Sequence, residues 1–280
     1  MSSGEPSLAA LRREIDEIDD RVHDLLMRRG DVQAYVGAAK AGAGGTYIRP
    51  GREAMVLRRL LARHAGSFPK PVLVRIWREV FAAGLSLQSA FSVAVARDGG
   101  DALQTLAADH FGATTPTTGR ADARAVLDAV GKGEAAVGVV PMPGHGADAA
   151  GGRDPWWAAV AGDADGPRVI ARLPFAAAAS RAATAEALVV GDAPPEDTGH
   201  DHSLIALGAT GAGDELVRAA ARADLHGATV VARAGTWSLL GCPGVIVPGD
   251  TRLDVLAAET GGAARVLGAY AVPLGPAELS

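Results

Sequence analysis

The 280-residue chain has a single cysteine, Cys242. One thiol excludes an internal disulfide and any zinc cluster built on cysteines. Aromatic residues make up 4% of a chain that is 48% hydrophobic, so its cores are built from Ala, Val and Leu. No apolar run reaches the roughly 20 residues that a helix needs to cross a bilayer, so no membrane association is expected. The opening MSSGEPSLAALRREI has no basic stretch leading into an apolar one. No signal peptide is therefore expected, and the protein reads as cytoplasmic. Lysine is scarce too: Lys40, Lys70 and Lys132 stand against 24 arginines. In a chain that otherwise uses arginine, a lysine is a candidate for a site that needs a compact charge.

Positive charge is nowhere dense. Residues 1–90 hold 14 Lys/Arg and 10 Asp/Glu, and the remaining 190 hold 13 and 22, giving the net charge of −5. A duplex nucleic-acid binder shows a denser basic patch, so no nucleic-acid partner is expected. A small anionic ligand suits the mild excess at the N-terminal end.

Three segments follow one another. Residues 1–90 have helical periodicity: a helix from about Leu8 to Ala41 closed by AGAGG, a second from Pro50 to near Gly66, and a third over about 72–90. Pro50 and Glu53 suit the first turn of the second helix. From FSVAVA at 91–96, short Val-rich runs alternate with Ala-rich helices in the order β-α-α-β, as in an α/β layer spanning 91–199. GDAPPEDTG then reads as a linker. Residues 200–280 give β-α-β-β-α-β, the split βαβ arrangement. The expected fold class is α plus α/β: an intertwined dimeric three-helix bundle, a small α/β lobe, and a ferredoxin-like domain.

The first helix carries the functional signal. Leu8, Leu11, Ile15, Ile18, Val22, Leu25, Val32 and Val36 recur in steps of three and four. One step lands on Arg29. A stripe of roughly 50 Å is too long for its short neighbours to cover, so a second copy of the chain is the expected cover. A cation in such a seam persists only if something anionic meets it, and arginine forks match carboxylates. A carboxylate pocket in a helical dimer and a plain break in the seam both fit Arg29 alone.

The rest of the segment resembles the all-helical chorismate mutases, the domain fused to the front of bifunctional prephenate dehydratases. LAALRREIDEID matches that family at Arg12, RRGDVQAYVGAAK at Arg29 and Lys40, YIRPGREAMVLRRL at Arg52 and Glu53, and SLQ at Gln88. Arg49 and Gly84 depart from it, standing where some members have Asp and Ser. The resemblance implies a homodimeric enzyme that rearranges chorismate to prephenate with no cofactor and no metal. Arg29, Arg52 and Arg12 of the partner chain would take the two carboxylates, Lys40 and Gln88 would face the ether oxygen, and Glu53 would accept from the ring hydroxyl. All these positions lie within residues 1–92, so that fragment is expected to be sufficient for activity.

The later segments resemble eroded members of the same fusion. ALQTLAADHFG and GEAAVGVVP match the first lobe of prephenate dehydratase. The dehydratase residues Glu-Asn-Ser are here Pro143-Gly144-His145, and its Thr-Arg-Phe is here Ala185-Glu186-Ala187, so dehydratase activity is not expected. Thr251-Arg252-Leu253 mimics the latter motif but suits a helix N-cap. VLGAYAVP resembles an ACT domain whose effector loops are poorly kept, so phenylalanine is expected to have little effect. The GATGAG turn and the pair His200 and His202 are too isolated to mark a dinucleotide or metal site. Trp156-Trp157 reads as a core anchor. The alternative to an enzyme is a regulatory or ligand-binding protein that only dimerises through its helices.

Overall fold

A computed structural model describes residues 6–41, 47–98, 100–144, 155–162, 166–182, 184–209 and 211–280. The breaker after the first helix, His145 and Thr210 of the GATGAG turn lie outside these.

The helical segment forms α1 (Leu8–Ala41), α2 (Pro50–Ala62) and α3 (Lys70–Ser86). Pro50 sits in the first turn of α2 and Pro71 in that of α3, where a missing N–H costs nothing. No side chain of Arg49 caps α2. Instead Glu196, far along the chain, accepts from the Arg52 backbone N–H at 2.9 Å and pairs with the Arg49 guanidinium. The helix N-terminus is thus closed by a carboxylate from the Pro-rich linker, as its dipole favours.

The next elements are β1 (Val93–Ala96), α4 (Asp101–Phe111), β2 (Thr117–Arg120), α5 (Ala123–Gly131), β3 (Val137–Pro141), α6 (Trp156–Gly162), β4 (Arg168–Leu173) and β5 (Ala187–Gly191). An edge strand, β2, therefore separates the two helices that the sequence joins directly. Thr117–Arg120 is half-exposed and has no alternating apolar residues, so it leaves no period-two signal. Asp122 starts α5 by accepting from the Ala125 N–H at 2.9 Å. Trp156 and Trp157 are both fully buried in the core beneath this layer.

The third segment gives β6 (Asp201–Leu207), α7 (Gly213–Arg222), β7 (Thr229–Ala234), β8 (Trp237–Pro243), α8 (Thr251–Thr260), β9 (Ala264–Ala271) and α9 (Pro276–Leu279). The cap of α8 is Asp250, whose side chain accepts from Arg252 N–H, and Thr251 is the first helical residue.

All nine strands form one mixed sheet in the order β2-β1-β3-β5-β4-β9-β6-β8-β7. β1 is parallel to β2 and β3, while β5 runs antiparallel to β3 and β4. The two halves of the sheet meet where β4 runs parallel to β9, with Val169 opposite Gly268. Gly268 has φ 141°, and a Cβ there would lie 2.1 Å from the Val169 carbonyl oxygen. Only glycine permits this backbone approach.

The α2–α3 hairpin packs on that junction. Ala54, Leu57, Leu61, Val74 and Phe81 share a core with Phe175, Ala176, Ala271, Leu274 and Leu279. Most of α1 instead projects from this body. Ile15 is 57% exposed and Leu25 67%, and their apolar neighbours along the stripe are exposed too. Among the described residues, no helix is long and apolar enough to cross a membrane.

Candidate functional site

Only the last third of α1 touches the body. Arg29, Gly30, Gln33, Gly37 and Lys40 are its covered residues, one face at helical spacing, while positions between them stay open. This face crosses α3. A Cβ at Gly37 would lie 3.1 Å from Gln88, and one at Gly84 would lie 1.8 Å from the Gln33 side-chain nitrogen. The two small residues thus let the helices approach and let Gln33 lie over α3. Gly84 departs from the serine of some chorismate mutases, and here the Gln33 amide fills that space.

Arg29 lies in this crossing. Its Nη1 donates to Gln33 Oε1 at 2.5 Å and to the Val80 carbonyl at 3.2 Å, and its guanidinium carbon is 5.7 Å from the centre of the Phe81 ring. Burial lowers the Arg29 pKa and attraction to Glu53 opposes the shift. Arginine remains charged through such shifts. Gln88 folds back along α3 and donates to the Gly84 carbonyl at 2.7 Å. Lys40 is half-buried, with its ammonium 5.8 Å from the Tyr47 ring centre.

Glu53 faces inward from α2. Its Oε2 accepts from Arg78 Nη1 at 2.8 Å. Burial raises the Glu53 pKa above the usual carboxylate range, and Arg78 and then Arg29 pull it back. Arg78 is itself buried and faces His110 at 3.5 Å and the Phe175 ring centre at 5.0 Å.

The fold therefore gathers Arg29, Gln33, Glu53 and Arg78 where α1, α2 and α3 meet, with Gln88 farther along the α1–α3 crossing beside Gly37. It leaves Arg12 on the exposed part of α1, 17 residues and so roughly 25 Å from Arg29 along the helix. Arg52 is exposed and contributes its backbone N–H to Glu196. Arg49 is engaged by the same carboxylate.

Gln33 and Arg78 are missing from the residues singled out in the sequence. Arg78 had a legible signal: with Val74, Phe81 and Leu85 it completes a buried stripe on α3, so it is an arginine at a core position just as Arg29 is. Gln33 had none, because glutamine four residues after an arginine is unremarkable on a helix surface.

Two features elsewhere bear on the later segments. Glu186 pairs with Arg172 at 2.5 Å, and Tyr270 joins Arg172 across the β4–β9 junction. Among the described residues no group of three or more His, Cys, Asp or Glu could hold a metal.

Charged groups thus gather at a crossing of helices, beside a long uncovered helix. Residues 11–89, the helical segment, match the family described as chorismate mutase type II. The chain is 30% identical over 140 residues to a bifunctional chorismate mutase/prephenate dehydratase of Pseudomonas aeruginosa. That match covers 48% of this chain and 38% of the relative. The corresponding bifunctional protein of Aquifex aeolicus is 32% identical over 139 residues, with the same shares. An intracellular chorismate mutase of Mycolicibacterium smegmatis is 38% identical over 56 residues, 20% of this chain and 54% of the relative. The chain thus spans about two fifths of the length of the bifunctional relatives it matches.

Proposed function

We propose that the protein is a homodimeric chorismate mutase that rearranges chorismate to prephenate. The observation that carries this reading is Arg29, half-buried in the α1–α3 crossing with Glu53 close enough to attract it, inside a segment that matches the mutase family. The rearrangement is a concerted shift within one molecule, so it needs no nucleophile and no metal. The enzyme must hold a flexible dianion in its compact shape and stabilise the partial negative charge that grows on the breaking ether oxygen. Arg29 and Arg52 grip the carboxylates, together with Arg12 of a second copy. Lys40 and Gln88 face the ether oxygen and Glu53 accepts from the ring hydroxyl. Gln88 must leave the Gly84 carbonyl to do so.

The exposed stripe of α1 supports the dimer. An uncovered apolar strip of this length is costly in water, and an antiparallel second α1 covers it while returning an Arg12 to the site. The segments 91–199 and 200–280 are then a dehydratase-like lobe and an ACT-like domain without dehydratase activity. Glu186 supports the missing activity: where the dehydratase pattern has an arginine for a dianion, this chain has a carboxylate already paired with Arg172.

Loss of chorismate in the presence of the purified full chain tests the reading, with prephenate as the expected product and no phenylpyruvate formed from it. Chorismate decay no faster than the buffer background would overturn the enzyme in favour of a protein that only binds and dimerises.

A further inference from the structure

Arg78 is a buried cation that nothing in the mutase resemblance supplies. Its side chain is 6% exposed. Three groups from outside α3 enclose it: the Glu53 carboxylate from α2, the His110 ring from α4, and the Phe175 ring from the turn after β4. The last two belong to the sheet body, so a group at the mutase crossing is held by residues well outside that domain.

We propose that Arg78 is a positioning residue for the mutase site, fixing the Glu53 carboxylate in one orientation and keeping it ionised as a hydrogen-bond acceptor. The proposal rests on the mutase reading above. Its geometry is direct. Arg78 takes Oε2 of Glu53 at 2.8 Å, and among the described residues Oε1 has no hydrogen-bond partner, so it is left for a hydroxyl donor. An ionised carboxylate accepts at both oxygens, whereas a protonated one carries a competing donor. Burial drives Glu53 toward the protonated form. Opposing it are Arg78 from α3 and, more weakly, Arg29 from α1, while Glu196 from the linker adds to the drive. His110 faces Arg78 but brings no second positive charge, because burial and Arg78 together hold its pKa well below the usual histidine value. Arg78 is therefore the principal counterion, and without it Glu53 protonates at a higher pH.

The test is the pH profile of kcat/KM for chorismate with the full chain, in wild type, Arg78→Met, Arg78→Lys, Glu53→Gln and the double variant Arg78→Met/Glu53→Gln. In Arg78→Met the acid-side loss of activity is expected at higher pH than in wild type, falling about tenfold per pH unit below its midpoint. Arg78→Lys should restore most of the wild-type profile. The double variant should be no less active than Glu53→Gln alone, because Arg78 acts through Glu53 and the neutral pair leaves no charge buried. An unshifted midpoint in Arg78→Met, no recovery with lysine, or a double variant weaker by the product of the two single losses would each overturn the proposal. A wild-type chain without mutase activity would sink the enzyme and with it the positioning role. Carbon-13 titration of the Glu53 carboxyl in wild type and Arg78→Met separates the two failures, since it reads directly whether Arg78 holds that group ionised.

Discussion

α1 and the α2–α3 hairpin carry the same kind of apolar stripe with opposite fates. On the hairpin, Leu57, Val74 and Phe81 are buried against Phe175, Ala271 and Leu274 of the sheet body. On α1, Ile15, Ile18 and Leu25 face outward for most of the helix length. A period of three and four residues says only that a face is to be covered, not by what. The hairpin is completed by its own chain, and α1 is left for something else. The candidate site lies where the two regimes meet, at the covered last third of α1.

The contrast predicts that equal truncations have unequal effects. Phe81→Ala removes a ring from a closed core and is expected to cost about 3–5 kcal/mol of stability, read as a lower denaturant midpoint. Leu25→Ala, at a position open within one chain, should change the stability of a monomer by no more than about 0.5 kcal/mol. An equal loss from the two would mean that α1 is covered within its own chain.

A charge in the open stripe sharpens the same point. Leu25→Glu is expected to yield a monomer in analytical ultracentrifugation and to lower kcat/KM about a hundredfold or more, the cost of one lost charge-directed contact in the transition state. A monomer with full activity would show that no partner residue enters the site. Arg29→Ala should lower activity to a similar extent while the helical circular dichroism stays intact. Mixing and refolding Arg12→Ala chains with Arg29→Ala chains should then restore activity, since one site of each mixed dimer receives both arginines. Mixtures as weak as the parents would place Arg12 outside the site.

The smallest expected effect lies on the hairpin side. His110 is buried and neutral, with its pKa held well below the usual value by burial and by Arg78. The unfolded chain binds a proton at this residue below about pH 6.5 and the folded one does not. Stability should therefore be complete above that pH and fall as the pH drops below it, by at most about 1.4 kcal/mol per pH unit for one group. Melting temperatures between pH 7 and pH 5 for wild type and His110→Gln check this, and the slope should be shallower in the variant. Equal slopes would remove His110 as its source.

Residues 1–92 hold every position that the mutase resemblance matched, and the resemblance leads one to expect that this fragment is sufficient for activity. The fold attaches a condition. Cutting there bares the hairpin face that packs on Phe175, Ala271 and Leu274, and removes both His110 and Phe175 from around Arg78. The fragment should keep its helices but melt well below the full chain, with the Arg78–Glu53 pair opened to water. Fragment and full chain melting together would show that the hairpin closes its core without the body.

Local pattern alone determined the extent of α1, the change from helices to mixed strands and helices at residue 91, and the β-α-β-β-α-β order of the last segment, though it missed β2. It also marked Arg29 as a cation out of place, while Arg12, Lys40, Arg52, Glu53 and Gln88 were singled out through the resemblance to the chorismate mutases. These are legible because periodicity, breakers and short motifs act between residues a few positions apart. The tertiary structure alone decided that β4 and β9 join the strands into one sheet, that Glu196 closes the N-terminus of α2, and that Glu53 faces Arg78. Each of these links residues at least 25 positions apart. Chain closure over such spans depends on how whole elements pack, and a single sequence carries no periodic trace of which distant partner a strand edge or a buried charge will meet.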